Sequence, residues 1–216
     1  MTRLLYEVSM SLDGFVAGIN PSPRIMQNSM GVGGMRLGEW MEELAVFRRD
    51  MGREGGVTNA STAVYEENNT GAGAMIMGRK MFGGGPGPWG DPPWDGWWGG
   101  NPFHMPVYLL THHPREPLVL HGDPPFTFVT EGIRAALEMA QKAAAGKDVW
   151  VGGGPSVAKQ YLDAGLLDEI DIHLRPFFLG EGLRLFDDAA LSGITLEKMR
   201  VADAPGVTHL RYRVVR

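Results

Sequence analysis

The sequence predicts one α/β domain built on a mixed sheet. Three observations carry this expectation. Short apolar stretches of strand character alternate with helical stretches along the chain, and no shift in composition marks a boundary. Three of the apolar stretches stop at a segment rich in glycine, or in hydroxyl and basic groups. The last stretch, Val207 to Val215, alternates Leu210, Tyr212 and Val214 against His209, Arg211 and Arg213. That alternation suits an antiparallel strand with one wet face.

Leu4 to Ser9 reads as the first strand and runs into the loop Ser11 to Gly18. Asn20 to Gly38 is rich in Gly, Pro, Ser and Met without a period, which predicts a long loop. Loops of this length in a compact domain usually serve binding or closure. Glu39 to Met51 predicts a helix: Trp40, Leu44 and Phe47 recur at helical spacing, while Glu42, Glu43, Arg48 and Arg49 supply polar faces. Ser61 to Asn68 predicts a second, with Ser61 as its N-cap. Ala74 to Met77 is a short buried strand. Gly83 to Phe103 is another long loop, with Trp89, Trp94, Trp97 and Trp98 set among glycines and prolines. Val107 to Leu110 and Phe126 to Val129 are strands. The helix Glu131 to Ala145 follows, capped by Thr130 and stopped by Gly146. Val149 to Val151 runs into Gly152-Gly153-Gly154-Pro155, and Ser156 caps a helix to Ala164. Ile170 to Leu174, Thr195 to Met199 and Val207 to Val215 complete the strands.

Composition narrows the function. The chain has 216 residues, enough for one domain with a sizeable core. Its 44% hydrophobic and 21% charged residues exclude disorder as the default. A net charge of −5 argues against nucleic acid, which needs clustered Lys and Arg to displace phosphate counterions. It argues against a membrane surface in the same way. No cysteine is present, so there is no disulfide framework and no thiolate zinc site. No apolar run approaches the roughly 18 residues of a membrane span, and no basic segment leads into an apolar one at the start. The expectation is a cytoplasmic protein acting on a small molecule.

The three strand ends are where chemistry is expected, because ligands of open α/β sheets sit at the carboxyl ends of strands. In Met75-Ile76-Met77-Gly78-Arg79-Lys80 a glycine lets backbone approach a ligand, and two cations follow. Arginine grips phosphate bidentately, and lysine adds a point charge. A solvated Arg-Lys pair after a turn fits the same residues. In Leu109-Leu110-Thr111-His112-His113-Pro114 a hydroxyl and imidazoles can donate to a phosphate. A surface turn closed by Pro114 fits equally. Adjacent histidines on an extended chain point opposite ways and no third ligand completes a set, so no metal is expected. In Val151-Gly152-Gly153-Gly154-Pro155-Ser156 three glycines precede a helix N-terminus, a ready anion site, or simply a tight turn. The segment is neither G-x-G-x-x-G nor a P-loop.

Taken in order, SLDGFVAG, MIMGRKMF, VYLLTHHP, VWVGGGPSVAKQYLDAGLLDEIDIHLRPFFLGEG and the Leu185-Phe186 pair resemble the dihydrofolate reductase-like superfamily. The branch they resemble holds the reductase domain of riboflavin biosynthesis. Residues 20–70 and 83–103 are poorly covered. The resemblance implies a three-layer α/β/α domain over 1–216 with a mostly parallel mixed sheet. It implies NADPH, with Gly78, Arg79 and Lys80 at the cofactor phosphates and Thr111 and His112 at the adenosine 2′-phosphate. Gly153, Gly154, Pro155 and Ser156 would underlie the pyrophosphate and nicotinamide, and Val16, Ala17 and Gly18 would close over the nicotinamide. The implied reaction is hydride transfer to a C=N or C=O of a small heterocyclic (pterin- or pyrimidine-like) or carbonyl substrate. A homodimer is a further implication.

The substrate end departs from the family. Dihydrofolate reductases carry an acid on the helix before the Met-Gly-Arg strand, and the matching neighbourhood here, around Thr62, has none. The remaining catalytic candidates are Glu43 and Asp13, and Asp13 also suits a plain Leu-Asp-Gly turn. Reduction of dihydrofolate itself is not expected. A non-catalytic nucleotide-binding protein that keeps the fold, and a flavin-type enzyme on a different fold, stand as alternatives.

Overall fold

The computed structural model describes residues 2–186 and 193–215. Its elements run β1 (Leu4–Ser11), β2 (Phe15–Ala17), α1 (Glu39–Glu42), α2 (Ala45–Asp50), α3 (Ala60–Gly71), β3 (Ala72–Gly78), α4 (Arg79–Phe82), β4 (Val107–Leu110), β5 (Phe126–Val129), α5 (Ile133–Ala143), β6 (Asp148–Gly153), α6 (Pro155–Asp163), β7 (Glu169–Arg175), β8 (Leu183–Arg184), β9 (Thr195–Ala204) and β10 (Val207–Val215). The mixed α/β expectation holds. Contacts divide the chain into two compact units, and β1 contributes its first residues to one and its last to the other.

The first unit comprises Met1–Tyr6, Pro23–Met26 and Gly71–Leu167. Its strands lie in the order β5-β4-β3-β6-β1, all parallel. Parallel strands covered on both faces read as continuous apolar runs, and Met75, Ile76 and Met77 of β3 are all buried. α5 turns Ala136, Leu137 and Ala140 inward. α6 does the same with Val157, Ala158, Tyr161 and Leu162. The helix Ile133–Ala143 starts at Gly132 rather than at Thr130. Thr130 instead gives its N–H and hydroxyl to the Glu131 carboxylate, two residues before the cap position.

The tryptophan-rich stretch packs on the core. Trp89 is buried in one core cluster with Phe82, Phe126 and Phe128. Phe82 meets all three rings edge-on, with centroids 5.3 to 5.9 Å apart. Three indole N–H groups of the stretch find carbonyls: Trp89 donates to His113, Trp94 to Phe82 and Trp97 to Met81. The chain can lie this close because it is glycine there. A Cβ on Gly83 would come within 2.5 Å of the Trp97 ring, and one on Gly84 within 2.7 Å of Trp94.

The second unit comprises Glu7–Ser22, Gln27–Thr70 and Asp168–Arg216. β7, β10 and β9 form an antiparallel ladder, and β2 pairs with β8. One long helix was expected over Glu39 to Met51; there are two short ones. Leu44 is extended (φ −71°, ψ 134°) and bridges Val57. Ala45 N–H donates to Val57 O and Val57 N–H to Glu43 O, so strand-like pairing replaces helical bonds at the break. In α3 the capping position belongs to Asn59, whose Oδ1 accepts the Ser61 N–H at 2.8 Å. Ser61 lies inside the helix with its hydroxyl free for other use.

The wet face expected of the last strand is the covered one. His209 and Arg211 are buried, whereas Leu210, Tyr212 and Val214 are half-buried. In register with them on β7, His173 lies opposite His209 and Asp171 opposite Arg211. Glu169, Asp171, His173 and Arg175 are all buried. This polar face survives burial because it is paired. Arg211 donates to Glu169 and to Glu67 of α3, both at 2.7 Å. Arg200 bonds Glu67 and Asp171.

Phe82→Ala is expected to lower the stability of the chain by about 3–5 kcal/mol, the usual cost of removing a fully buried aromatic ring. Urea denaturation followed by tryptophan fluorescence measures this. A loss below about 1 kcal/mol would mean the loop does not pack as described.

Candidate functional site

The three strand-end loops are brought together within the first unit. β4, β3 and β6 are adjacent, with Gly78 in register with Leu110 and Met77 with Gly153. Gly78-Arg79, Thr111-His112 and Gly153-Gly154 therefore emerge side by side at the carboxyl ends of parallel strands. A Cβ on Gly78 would lie 2.9 Å from Val157 Cγ2 and 3.7 Å from Gly154 N, so glycine is what lets these two turns approach. The Gly153–Gly154 peptide is cis. Gly154 is the N-cap of α6 and Pro155 its first residue, where a missing N–H costs nothing. Ser156 follows within the helix and is exposed, so it does not cap as expected. α6 directs its positive end at this turn, with the Val157 and Ala158 N–H groups donating to Gly154 O. Thr111 is buried, and its hydroxyl accepts the His113 N–H at 3.1 Å. Lys80 and His112 are exposed.

Arg79 is the notable group. Its Nε donates to Gly85 O at 3.2 Å, and its guanidinium lies over the Trp89 ring, 3.1 Å from the centre. Nη1 and Nη2 are buried and have no hydrogen-bond partner. Burial first, and the Arg115 charge second, hold its pKa down at about 10. Arg115 sits 5.3 Å from the same ring and is paired with Asp95. An unpartnered buried cation beside a second cation is the signature of a place for an anion. The residues present thus fit a phosphorylated cofactor.

In the second unit Val16 is buried, Ala17 is half-buried, and the Gly18 N–H donates to Met30 O. Asp13 anchors the preceding turn. Its Oδ1 accepts from Ser11 Oγ at 2.6 Å and Leu179 N at 3.1 Å, and its Oδ2 accepts from Gly180 N at 2.7 Å. Desolvation opposes these donors, but they prevail and hold its carboxyl down at about 2. Both oxygens are engaged in holding the loop. Glu43 is exposed at the end of α1, where its carbonyl receives the Val57 N–H.

A constellation missed in the sequence lies on the covered face. Ser61 Oγ is 2.9 Å from His209 Nε2, His209 Nδ1 is 2.8 Å from His173 Nδ1, and His173 Nε2 is 2.8 Å from Glu7 Oε1. Trp40 packs against both imidazoles, with centroids 4.6 and 4.9 Å away, and donates its own N–H to Ser9 Oγ. Burial pushes the Glu7 carboxyl up, but the His173 hydrogen bond and charge prevail and hold it below its ordinary value. The Asn68 amide adds to the lowering, although no acceptor lies within hydrogen-bonding distance of its Nδ2. Burial, then the His173 and Arg200 charges, hold His209 down at about 3. The available signal was Glu169-Ile170-Asp171-Ile172-His173, whose polar alternation mirrors His209-Leu210-Arg211. Among the described residues no group of three or more His, Asp or Glu could hold a metal ion, and no helix is long and apolar enough to cross a membrane.

The family model described as the RibD C-terminal domain matches residues 2–210. The chain belongs to that family. It is a family of NADPH-linked reductase domains, which bears out the resemblance read from the loop motifs. Among solved structures, a Shewanella sp. PV-4 protein described as a riboflavin biosynthesis protein is 18% identical, with TM-score 0.62 and full coverage of both chains. The Thermotoga maritima diaminohydroxyphosphoribosylaminopyrimidine deaminase/5-amino-6-(5-phosphoribosylamino)uracil reductase is 13% identical with TM-score 0.53, over 99% of this chain and 57% of that one. Enterococcus faecalis dihydrofolate reductase, solved with NADP(H), is 13% identical with TM-score 0.52, over 98% and 96%. At these identities the likeness is one of fold, and it removes the reading of a different fold. Matches to two curated Bacillus subtilis proteins are local: 44% identity over 43 residues of YyaP and 32% over 81 residues of YwjB. They span 20% and 38% of this chain, and 23% and 44% of those proteins.

The neutral burial of His209 sets a pH dependence. Unfolded, it takes up a proton below about 6.5; folded, only near 3. Between these values the unfolded state binds more protons, so its contribution to stability is present above pH 6.5 and lost on acidification towards 3. The slope is at most about 1.4 kcal/mol per pH unit. Urea midpoints measured from pH 7 to pH 4 are expected to fall, and to fall less steeply in His209→Gln. An equal slope in both would refute the assignment.

Proposed function

We propose that this chain is an NADPH-dependent reductase that passes a hydride to a C=N or C=O of a small heterocycle of pterin or pyrimidine type. The observation that carries the reading is the unpartnered Arg79 fork at the carboxyl end of β3, flanked by the Thr111-His112 and Gly153-Gly154 turns. Arg79 and Lys80 hold cofactor phosphates, His112 and Thr111 take the 2′-phosphate, and Gly153 to Ser156 supply backbone N–H groups and a helix end. Val16, Ala17 and Gly18 close over the nicotinamide. The nicotinamide supplies the hydride; the protein supplies position, charge and exclusion of water. Because Trp89 covers the Arg79 fork, the Gly85–Trp89 segment has to give way for a phosphate to reach it.

Quenching of tryptophan fluorescence by NADPH tests the reading. Sub-millimolar binding is expected, with NADH at least about tenfold weaker, since a charge-assisted phosphate contact contributes on the order of 1.5–3 kcal/mol. Arg79→Ala should weaken NADPH binding by about 10- to 100-fold on the same arithmetic. Failure of both cofactors to bind would refute the proposal.

Association of two copies belongs to the same proposal. Among the described residues β9 ends its ladder with one edge unpaired, and Leu196, Met199 and Val201 on it are exposed. Light scattering at micromolar concentration should give twice the chain mass, and Val201→Lys should halve it. A wild-type monomer would overturn this part.

A further inference from the structure

Trp89 of the first unit carries two guanidinium groups. The Arg79 Cζ lies 3.1 Å from the ring centre and the Arg115 Cζ 5.3 Å. The two charges are therefore no further apart than the sum of those distances. Arg115 also lies 5.1 Å from the centre of the Phe128 ring, and its side chain is 13% exposed. It gives one N–H to Trp94 O and another to Asp95 Oδ1, and Asp95 is exposed. A guanidinium has further N–H groups to give in the plane of its fork. Asp95 thus answers Arg115, while nothing answers Nη1 and Nη2 of Arg79.

Like charges this close and away from water repel. Burial first, and that repulsion second, lower the Arg79 pKa. An arginine that only stapled the loop through Trp94 and Asp95 would gain nothing from an unanswered cation beside it. An anion held by both groups turns the repulsion into attraction. A phosphate monoester suits the place: it brings about two negative charges, and guanidinium forks grip its oxygens in pairs. The position agrees. Trp89 donates its N–H to His113 O at 2.9 Å, so the ring under both arginines is tied to the turn after β4 that holds Thr111 and His112.

We propose that Arg115 is a second phosphate-gripping arginine of this protein, acting with Arg79 on the ribose 2′-phosphate that distinguishes NADPH from NADH. This rests on the NADPH reading above. Arg115 then decides the choice of cofactor, because it touches the group that the two cofactors do not share and takes no part in the hydride step. The shift of Gly85–Trp89 that frees the Arg79 fork moves the ring on which Arg115 also lies, so one movement opens both arms. Asp95 competes with the phosphate for the Arg115 guanidinium. When the phosphate enters, Asp95 returns to water at little cost, since an exposed partner of an ion pair loses little.

The test uses the whole chain as wild type, Arg115→Ala, Arg115→Lys and Asp95→Asn, with urea midpoints to show that each folds. Calorimetric titrations employ NADPH, NADH, 2′,5′-ADP, 5′-AMP and ribose 5-phosphate. Wild type should bind 2′,5′-ADP at least about tenfold more tightly than 5′-AMP. Arg115→Ala should weaken NADPH and 2′,5′-ADP by about 10- to 100-fold, and NADH and 5′-AMP by less than about threefold. Arg115→Lys, which keeps the charge and loses the fork, should fall between. Asp95→Asn should tighten 2′,5′-ADP several-fold without raising the urea midpoint, a response that a loop staple does not give. Equal losses for NADPH and NADH in Arg115→Ala, or no loss in either, overturn the proposal. If neither Arg115 variant folds, Asp95→Asn decides, and an unchanged or weaker 2′,5′-ADP affinity overturns it. Ribose 5-phosphate bound as tightly as 2′,5′-ADP gives the phosphate to a substrate and overturns the assignment to the cofactor. If 2′,5′-ADP binds through Arg115 but no pterin or pyrimidine oxidises NADPH, the reductase reading fails and the pair of arginines stands. If no probe binds, both fail.

Discussion

The second unit is organised by one requirement: a sheet face that carries charge and is covered must pair every charge it carries. β7 and β10 place Glu169, Asp171, His173, His209 and Arg211 on one such face. Leaving one partner of a buried pair alone costs about 3–5 kcal/mol, comparable with much of a domain's stability. The requirement explains which side chains α1 and α3 carry inward. Ser61 of α3 answers His209 from within, Glu67 answers Arg211 from the exposed rim, and Trp40 of α1 covers both imidazoles. Burial still drives the Asp171 carboxyl upward, against the nearby His173, Arg200 and Arg211 charges. Pairing there is close but not complete.

The first unit meets the opposite requirement. Its strands are apolar throughout, so polar chemistry is confined to where they stop. Adjacent parallel strands that stop level with one another place their loops in a row, and this is how Gly78, Thr111 and Gly153 become neighbours without being close in sequence. The Arg79 fork is the one buried charge in that row without a counterpart. A site that awaits an anion and a face whose charges are largely paired follow from the same cost, applied in two places.

Much of this was legible in the residues. Val107–Leu110, Phe126–Val129 and Val207–Val215 fall where their apolar patterns put them, because strand length and hydrophobicity agree locally. The three strand-end loops were legible through glycine placement. Three kinds of feature were not. Capping at Ser61, Thr130 and Ser156 was misassigned because each has a neighbour that competes for the role: Asn59, Gly132 and Gly154. The Leu44 break depends on Val57, thirteen positions on, and helical spacing is blind to that pairing. The histidine chain was hidden by the rule that polar residues of an alternating strand face water. That rule fails when the opposite strand and a helix bring complementary groups, and only tertiary contacts show that they do.

The close fit of glycine to indole in the stretch after α4 bears on how the family can diverge. Gly83 and Gly84 lie against Trp97 and Trp94, and the indoles reach back to the carbonyls of Met81 and Phe82. Neither partner can change alone: a side chain at either glycine would expel an indole, and a smaller ring would leave a void over a core residue. Substitutions there should accumulate in coordinated sets, so that relatives either keep the motif intact or replace the whole stretch with one of different length.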